Sequence, residues 1–164
     1  MFYSYCKRFT SLAHIVLGIS LGIAPVGAYM AVTGTSTWEC WVLALIVMTW
    51  CSGFDIIYAL QDAEFDRENG LHSIPSHFSA RTSLIISALL HVASIALLVI
   101  FATSQPQSWL LWVGCSVFAL ILASEHYIVT PTHQRNIGIA FGTFNALASL
   151  SLATFLIINL VVCG

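Results

Sequence analysis

The chain has 164 residues, of which 59% are hydrophobic and only 7% charged, with a formal net charge of −2. Soluble domains carry about 25% charged residues, so the composition excludes an ordinary soluble domain and predicts an all-α polytopic membrane bundle embedded in a lipid bilayer. Five basic residues in the whole chain leave no surface for gripping a phosphate backbone, so nucleic acid is excluded as a partner.

Hydropathy predicts about five spans, each near or above the ~20 residues that a membrane-crossing helix needs. They run approximately from Thr10 to Thr33, Trp38 to Gln61, Ala80 to Thr103, Ser108 to Ile128 and Ile137 to Val162. The first apolar run is too long for a signal h-region and has no small-residue cleavage motif close behind it, so the spans themselves are expected to direct insertion. Pro25 is expected to kink the first span, a bend tolerated where neighbouring helices cover the freed carbonyl. Residues 34–37 and 104–107 read as tight turns between antiparallel neighbours.

Lys7 and Arg8 precede the first span, Arg67 and Arg81 lie between the second and third, and Arg135 lies between the fourth and fifth. All of the basic residues therefore fall on one side, which the positive-inside rule makes cytoplasmic, at the cell inner (plasma) membrane, with the C-terminus outside. Trp38, Trp41, Trp109 and Trp112 cluster at the opposite ends of the spans and read as interfacial anchors.

The second span runs into the stretch Gly53 to Pro75, which holds five of the seven acidic residues of the chain: Asp55, Asp62, Glu64, Asp66 and Glu68. If the helix continues, each residue advances about 100°, so Asp55, Tyr58, Asp62, Asp66 and Asn69 share one stripe while Glu64 points away. Hard oxygen ligands in one place suit Mg²⁺, which takes one or two carboxylates and completes its shell with water and phosphate oxygens. The same pattern also fits a solvated charge cluster that caps a membrane helix. Gly70 is expected to stop a helix at positive φ, and Pro75 to break any regular structure beyond it.

Other polar residues fit a cavity at the same end: His14 in the first span, Glu125 and His126 closing the fourth, and Asn145 in the fifth. Glu125 reads as a snorkelling end residue rather than a catalytic one. The cysteines, Cys6, Cys40, Cys51, Cys115 and Cys163, form no C-x-x-C pair and read as small hydrophobes. His72 and His77 lack a second pair at zinc-ligand spacing and read as interfacial packing.

The run from Asp55 to Pro75, with Tyr58-Ala59, Asp62-x-x-x-Asp66 and Gly70-Leu71-His72-Ser73-Ile74-Pro75, resembles the second aspartate-rich motif of the membrane aromatic (UbiA-type) prenyltransferases. Upstream, Tyr3-Ser-Tyr-Cys-Lys7 is similar to that family's Y-x-x-x-K motif, and the sequence from His14 through Gly34 is similar to the helix next to it. The resemblance implies transfer of a polyprenyl group from a prenyl diphosphate to an aromatic acceptor, 4-hydroxybenzoate or a related precursor of ubiquinone or menaquinone. It implies Asp62 and Asp66 as Mg²⁺ ligands, with Tyr3 and Lys7 at the diphosphate. To these the spacing adds Asp55, Tyr58 and Arg67, the last reaching phosphate if the helix unwinds after Asp66. Lys7 reads alternatively as a topogenic charge, and Arg8 reads as one.

The family's earlier N-D-x-x-D-x-x-x-D motif is absent from this sequence. Residues 1–164 are therefore expected to be the C-terminal half of a prenyltransferase domain, inactive without a missing N-terminal half. Two rivals predict different chemistry. A cation-coupled transporter would place its acids nearer mid-membrane, and a non-catalytic helical membrane subunit would tolerate loss of Asp62 and Asp66.

Overall fold

The computed structural model describes residues 6–106, 108–130 and 137–163. Its helices are α1 (Ala13–Thr33), α2 (Trp38–Ala59), α3 (Ala63–Glu68), α4 (Ile74–His77), α5 (Ala80–Ser104), α6 (Trp109–Ile128), α7 (Ile137–Ile139) and α8 (Asn145–Cys163), with a π-helical turn over Ala140–Phe144 between the last two. Five segments are long and apolar enough to cross a membrane: α1, α2, α5, α6 and Gly142–Cys163. The all-α bundle expected from composition is the architecture observed. α1 runs on as helix through Pro25.

The boundary that matters most for the site differs from expectation. α2 stops at Ala59 instead of continuing as one helix through Asp66. The amides of Leu60, Gln61 and Asp62 bond back three residues, to the carbonyls of Ile57, Tyr58 and Ala59 at 3.3, 3.1 and 3.2 Å. Three-residue bonding tightens the chain relative to an α-helix and ends the regular 100° progression. The single acidic stripe is therefore broken, and α3 starts afresh after Asp62.

Close helix approach comes from small residues. Gly18 and Gly22, four apart on α1, face the backbone of α2: a β-carbon at Gly22 would lie 2.6 Å from the Ala44 carbonyl oxygen, and one at Gly18 would strike the Met48 carbonyl and Ser52 Oγ. This small-x-x-x-small spacing lets two membrane helices pack backbone to backbone, where apolar lipid supplies no hydrophobic drive between them.

α5 docks on the other face of α2 through Ser83, Ser87, His91 and Ser94, which are all buried on one stripe. Ser87 Oγ donates to the Gly53 carbonyl at 2.7 Å and Ser94 Oγ to the Ile46 carbonyl at 3.1 Å. Hydroxyls that bond the neighbouring helix's carbonyls are how polar groups become tolerable at membrane depth.

The largest buried apolar cluster includes Ile46, Trp50, Leu98, Phe118, Leu122 and Leu152. Trp50 stands edge-on to Phe118, with ring centroids 5.3 Å apart, and its indole N–H donates to Asn145 Oδ1 at 3.1 Å. Asn145 thus pins α8 to α2. At the opposite end of the bundle Asn159 is buried, donating to the Pro106 carbonyl and accepting from Ser108 Oγ. The turn between α5 and α6 is thereby fixed to α8.

Candidate functional site

The acid-rich stretch folds as a turn, the short helix α3 and a loop that leads into α4. Gly70, at φ 64°, closes α3 with paired bonds from Leu71 N to Asp66 O (2.7 Å) and from Gly70 N to Arg67 O (3.4 Å). This is the Schellman pattern, which needs a residue free to adopt positive φ and so favours glycine. The helix stop expected at Gly70 is observed. α4 then opens with a capping box: Ser73 Oγ accepts from Ser76 N at 3.2 Å, while Ser73 N donates to Ser76 Oγ at 2.9 Å.

Lys7 lies across this loop. Its carbonyl accepts from His72 N at 2.6 Å, and its ammonium donates to Asp66 Oδ2 at 3.1 Å. Asp66 is 2% exposed. A carboxylate that deep needs a partner, and Lys7, 59 residues away in sequence, supplies it.

Above this pair lies a hollow of about 340 Å³ whose lining includes Lys7, Phe54, Asp55, Tyr58 and Asp62. Its polar groups are those that the sequence singled out, arranged differently from the expected stripe. Asp55 and Tyr58 enter from the last turns of α2, and Asp62 from the turn beyond its end. Asp66 meets the hollow only through Lys7.

Asp55 is buried and accepts from His14 on α1, Nδ1 to Oδ2 at 2.6 Å. His14 was expected near a polar cavity, but no spacing rule pairs it with a residue 41 positions away. Asp55 is the buried floor of the hollow, whereas Tyr58 and Asp62 are exposed at its rim.

Arg67 is not brought to this hollow. α3 stays helical through Glu68, and Arg67 Nε donates to the Ser76 carbonyl at 3.3 Å beside a second hollow that Glu64 also lines. Asn69 donates from its side chain to the Phe65 carbonyl and caps α3. Tyr3 lies outside the described residues, as does Arg135. Among the described residues no three His, Cys, Asp or Glu side chains converge as a metal centre.

A second polar cluster lies on the α5 face of α2. His126 Nε2 and His91 Nδ1 share a hydrogen bond of 3.0 Å, and Glu125 Oε2 is 3.9 Å from His91 Nδ1. Glu125, expected to snorkel outward, is instead 1% exposed. Its position on α6 turns it inward, and neither carboxyl oxygen has a hydrogen-bond partner among the described residues. His91 carried no sequence signal beyond its polarity. Only the absence of a side chain at Gly53, where a β-carbon would strike the imidazole, makes room for it. His72 and His77 stack at the surface with centroids 5.0 Å apart, in keeping with interfacial packing. The cysteines described are free thiols, with Cys40, Cys51 and Cys115 buried as small hydrophobes.

Five membrane helices with an acid-lined hollow at one end, crossed by a lysine on a buried aspartate, define a polytopic membrane protein with a polar site near one bilayer face. The chain belongs to the UbiA prenyltransferase family, whose model matches residues 1–152. It is 33% identical over 133 residues to a 4-hydroxybenzoate octaprenyltransferase of Actinobacillus pleuropneumoniae serotype 5b, covering 81% of this chain and 44% of that protein. A protein of the same name from an Enterobacter species is 29% identical over 127 residues, covering 77% of this chain and 44% of the relative. Among solved structures, the apo form of a UbiA homolog from Aeropyrum pernix K1 superposes with a TM-score of 0.79 at 27% identity, over 96% of this chain and 59% of that one. The chain thus spans about half the length of the curated relatives it matches.

Proposed function

We propose that this chain contributes to the transfer of a polyprenyl group from a prenyl diphosphate to an aromatic acceptor, 4-hydroxybenzoate or a related quinone precursor. The observation that carries the reading is the meeting of Lys7, Asp55, Tyr58 and Asp62 around one hollow, with Asp66 held by Lys7, on residues that match the family's motifs. We take residues 1–164 as the part of a prenyltransferase domain that holds the second aspartate-rich motif. The remaining site residues would come from the portion of the relatives that this chain does not cover. The basic residues Lys7, Arg8, Arg67 and Arg81 favour a cytoplasmic orientation for the hollow, in the cell inner membrane.

The donor set fits a divalent cation of the hard class. Asp55 and Asp62 line the hollow, and the ammonium that lines it, Lys7, is already paired with Asp66, so a diphosphate would meet net repulsion unless a cation joined it. Mg²⁺ needs few protein oxygens and takes phosphate oxygens and water for the rest. Asp62 would hold it directly, and Asp66 would hold it if Lys7 turned to the diphosphate. When bound, the ion neutralises charge on the departing pyrophosphate.

In this reading Lys7 stabilises the leaving group, the motif match assigns Tyr3 the same task, and Tyr58 donates a hydrogen bond at the rim. Arg67 is assigned a diphosphate contact only if α3 opens. The apolar helices sheath the isoprenoid tail from water, so the allylic carbon meets the acceptor ring rather than hydroxide.

The test is co-expression of this chain with the segment corresponding to the uncovered part of its relatives, and then an assay of prenyl transfer with and without Mg²⁺. The expected result is Mg²⁺-dependent transfer that falls at least about a hundredfold in Asp62→Ala and in Asp66→Ala. Full activity in both variants would overturn the assigned roles.

A further inference from the structure

We propose that His14 is a positioning residue: it ties the loop carrying the acid-rich motif to Asp55, and so fixes the floor of the hollow. Its catalytic meaning rests on the proposed prenyl transfer, whereas its anchoring role stands on geometry alone.

The need arises at α4. The first amides of any helix lack intrahelical acceptors. Ser73 and Ser76 satisfy one another here, but Ile74, the first helical residue, has an N–H left over in a site where the residue is only 7% exposed. That N–H donates to His14 Nε2 at 3.3 Å. A backbone amide can only donate, so Nε2 must present a lone pair and the ring proton must sit on Nδ1. His14 therefore donates from Nδ1 to Asp55 Oδ2, across 2.6 Å.

Both nitrogens are used, each in the one sense open to it, in a side chain that is fully buried. The result is a relay of hydrogen bonds from α4 through α1 to α2. Two residues earlier the same loop is held again, by the bond from His72 N to the Lys7 carbonyl. Loop segment 72–74 is thus pinned twice from the N-terminal segment whose lysine grips Asp66. Loss of the His14 pin frees the loop beside Asp66 and removes a bond that orients Asp55.

Substitution can separate the two bonds. Asparagine offers an N–H near the place of Nδ1 but no acceptor for Ile74, glutamine carries a carbonyl out to the place of Nε2, and alanine offers neither. The experiment is amide hydrogen exchange on the full chain in nanodiscs, resolved to the 72–77 segment, for His14→Ala, His14→Asn and His14→Gln. In parallel, isothermal titration with Mg²⁺ and inorganic pyrophosphate serves as the probe of the hollow.

Exchange at Ile74 is expected to rise about tenfold or more in the alanine and asparagine variants and to stay within about threefold in the glutamine variant, with α1 and α2 unchanged. Pyrophosphate affinity is expected to keep the same order. Uniform acceleration across α1 and α2, no acceleration at Ile74, or a glutamine variant that behaves like alanine would each overturn the proposal. If the chain co-expressed with the segment corresponding to the uncovered part of its relatives binds no Mg²⁺–pyrophosphate, while the exchange pattern holds, the functional reading is sunk and the anchoring role of His14 stands.

Discussion

α2 carries a buried histidine–carboxylate cluster on each of two faces, and the two clusters are built to different standards. Towards α1, His14 uses both ring nitrogens, on Asp55 and on Ile74 N–H. Towards α5, His91 bonds His126 through Nδ1, while both oxygens of Glu125 have no hydrogen-bond partner among the described residues. Satisfied networks in a low-dielectric interior fix one geometry, whereas partly satisfied ones carry the desolvation cost without the compensating bonds. Burial of a histidine beside an acid therefore does not identify a site. The bonding of every polar atom separates a cluster that positions a loop from one that does not.

The contrast can be broken or sharpened by substitution, beginning with the largest effect. Asp55→Leu would leave the His14 Nδ1–H buried without an acceptor, and should lower unfolding stability in detergent by about 2–3 kcal/mol. Equal stability of the variant and the native chain would mean that the first cluster holds nothing in place. Lys7→Met removes the partner of a buried carboxylate and should cost about 1–3 kcal/mol, less at high ionic strength for the exposed fraction of the pair. It should also weaken Mg²⁺–pyrophosphate binding, and titration of the variant checks both effects.

Ser73→Ala removes one half of the capping box of α4 and should cost about 1 kcal/mol by thermal unfolding, with faster exchange confined to 73–78. The smallest effect is expected on the other face. Glu125→Gln should change stability by no more than about 1 kcal/mol, because no hydrogen bond to the described residues is lost and the side chain keeps its size and shape. A loss above about 2 kcal/mol in the same unfolding assay would show that Glu125 is bonded, and the comparison between the two faces would fail.

Much of the fold was legible because membrane crossing is a local property. The apolar runs set α1, α2, α5 and α6 to within a few residues, whereas the fifth run expected from Ile137 divides into α7, a π-helical turn and α8 from Asn145, and Gly70 announced its own positive φ. The residues around the hollow were legible in part. Asp55, Tyr58, Asp62 and Lys7 do line it, yet the helical stripe expected to bring the acids together does not exist, because α2 tightens and stops at Ala59. Spacing arguments assume that regular geometry persists, and a single turn of three-residue bonding resets the rotation of everything after it. For that reason spacing puts Arg67 with the acids of the first hollow, whereas it lines the other one.

What the sequence determined by itself is the solvent of this protein and the residues of its chemistry: apolar runs long enough to cross a bilayer, and a motif of acids and a lysine that places the chain among the UbiA prenyltransferases. What only the tertiary structure decided is which polar atoms meet. His14 finds Asp55 and Ile74 because Gly18 and Gly22 draw α1 against α2, and Glu125 turns inward because of the rotation of α6. Hydropathy is summed along one helix, but a hydrogen bond between helices depends on the approach, rotation and depth of both.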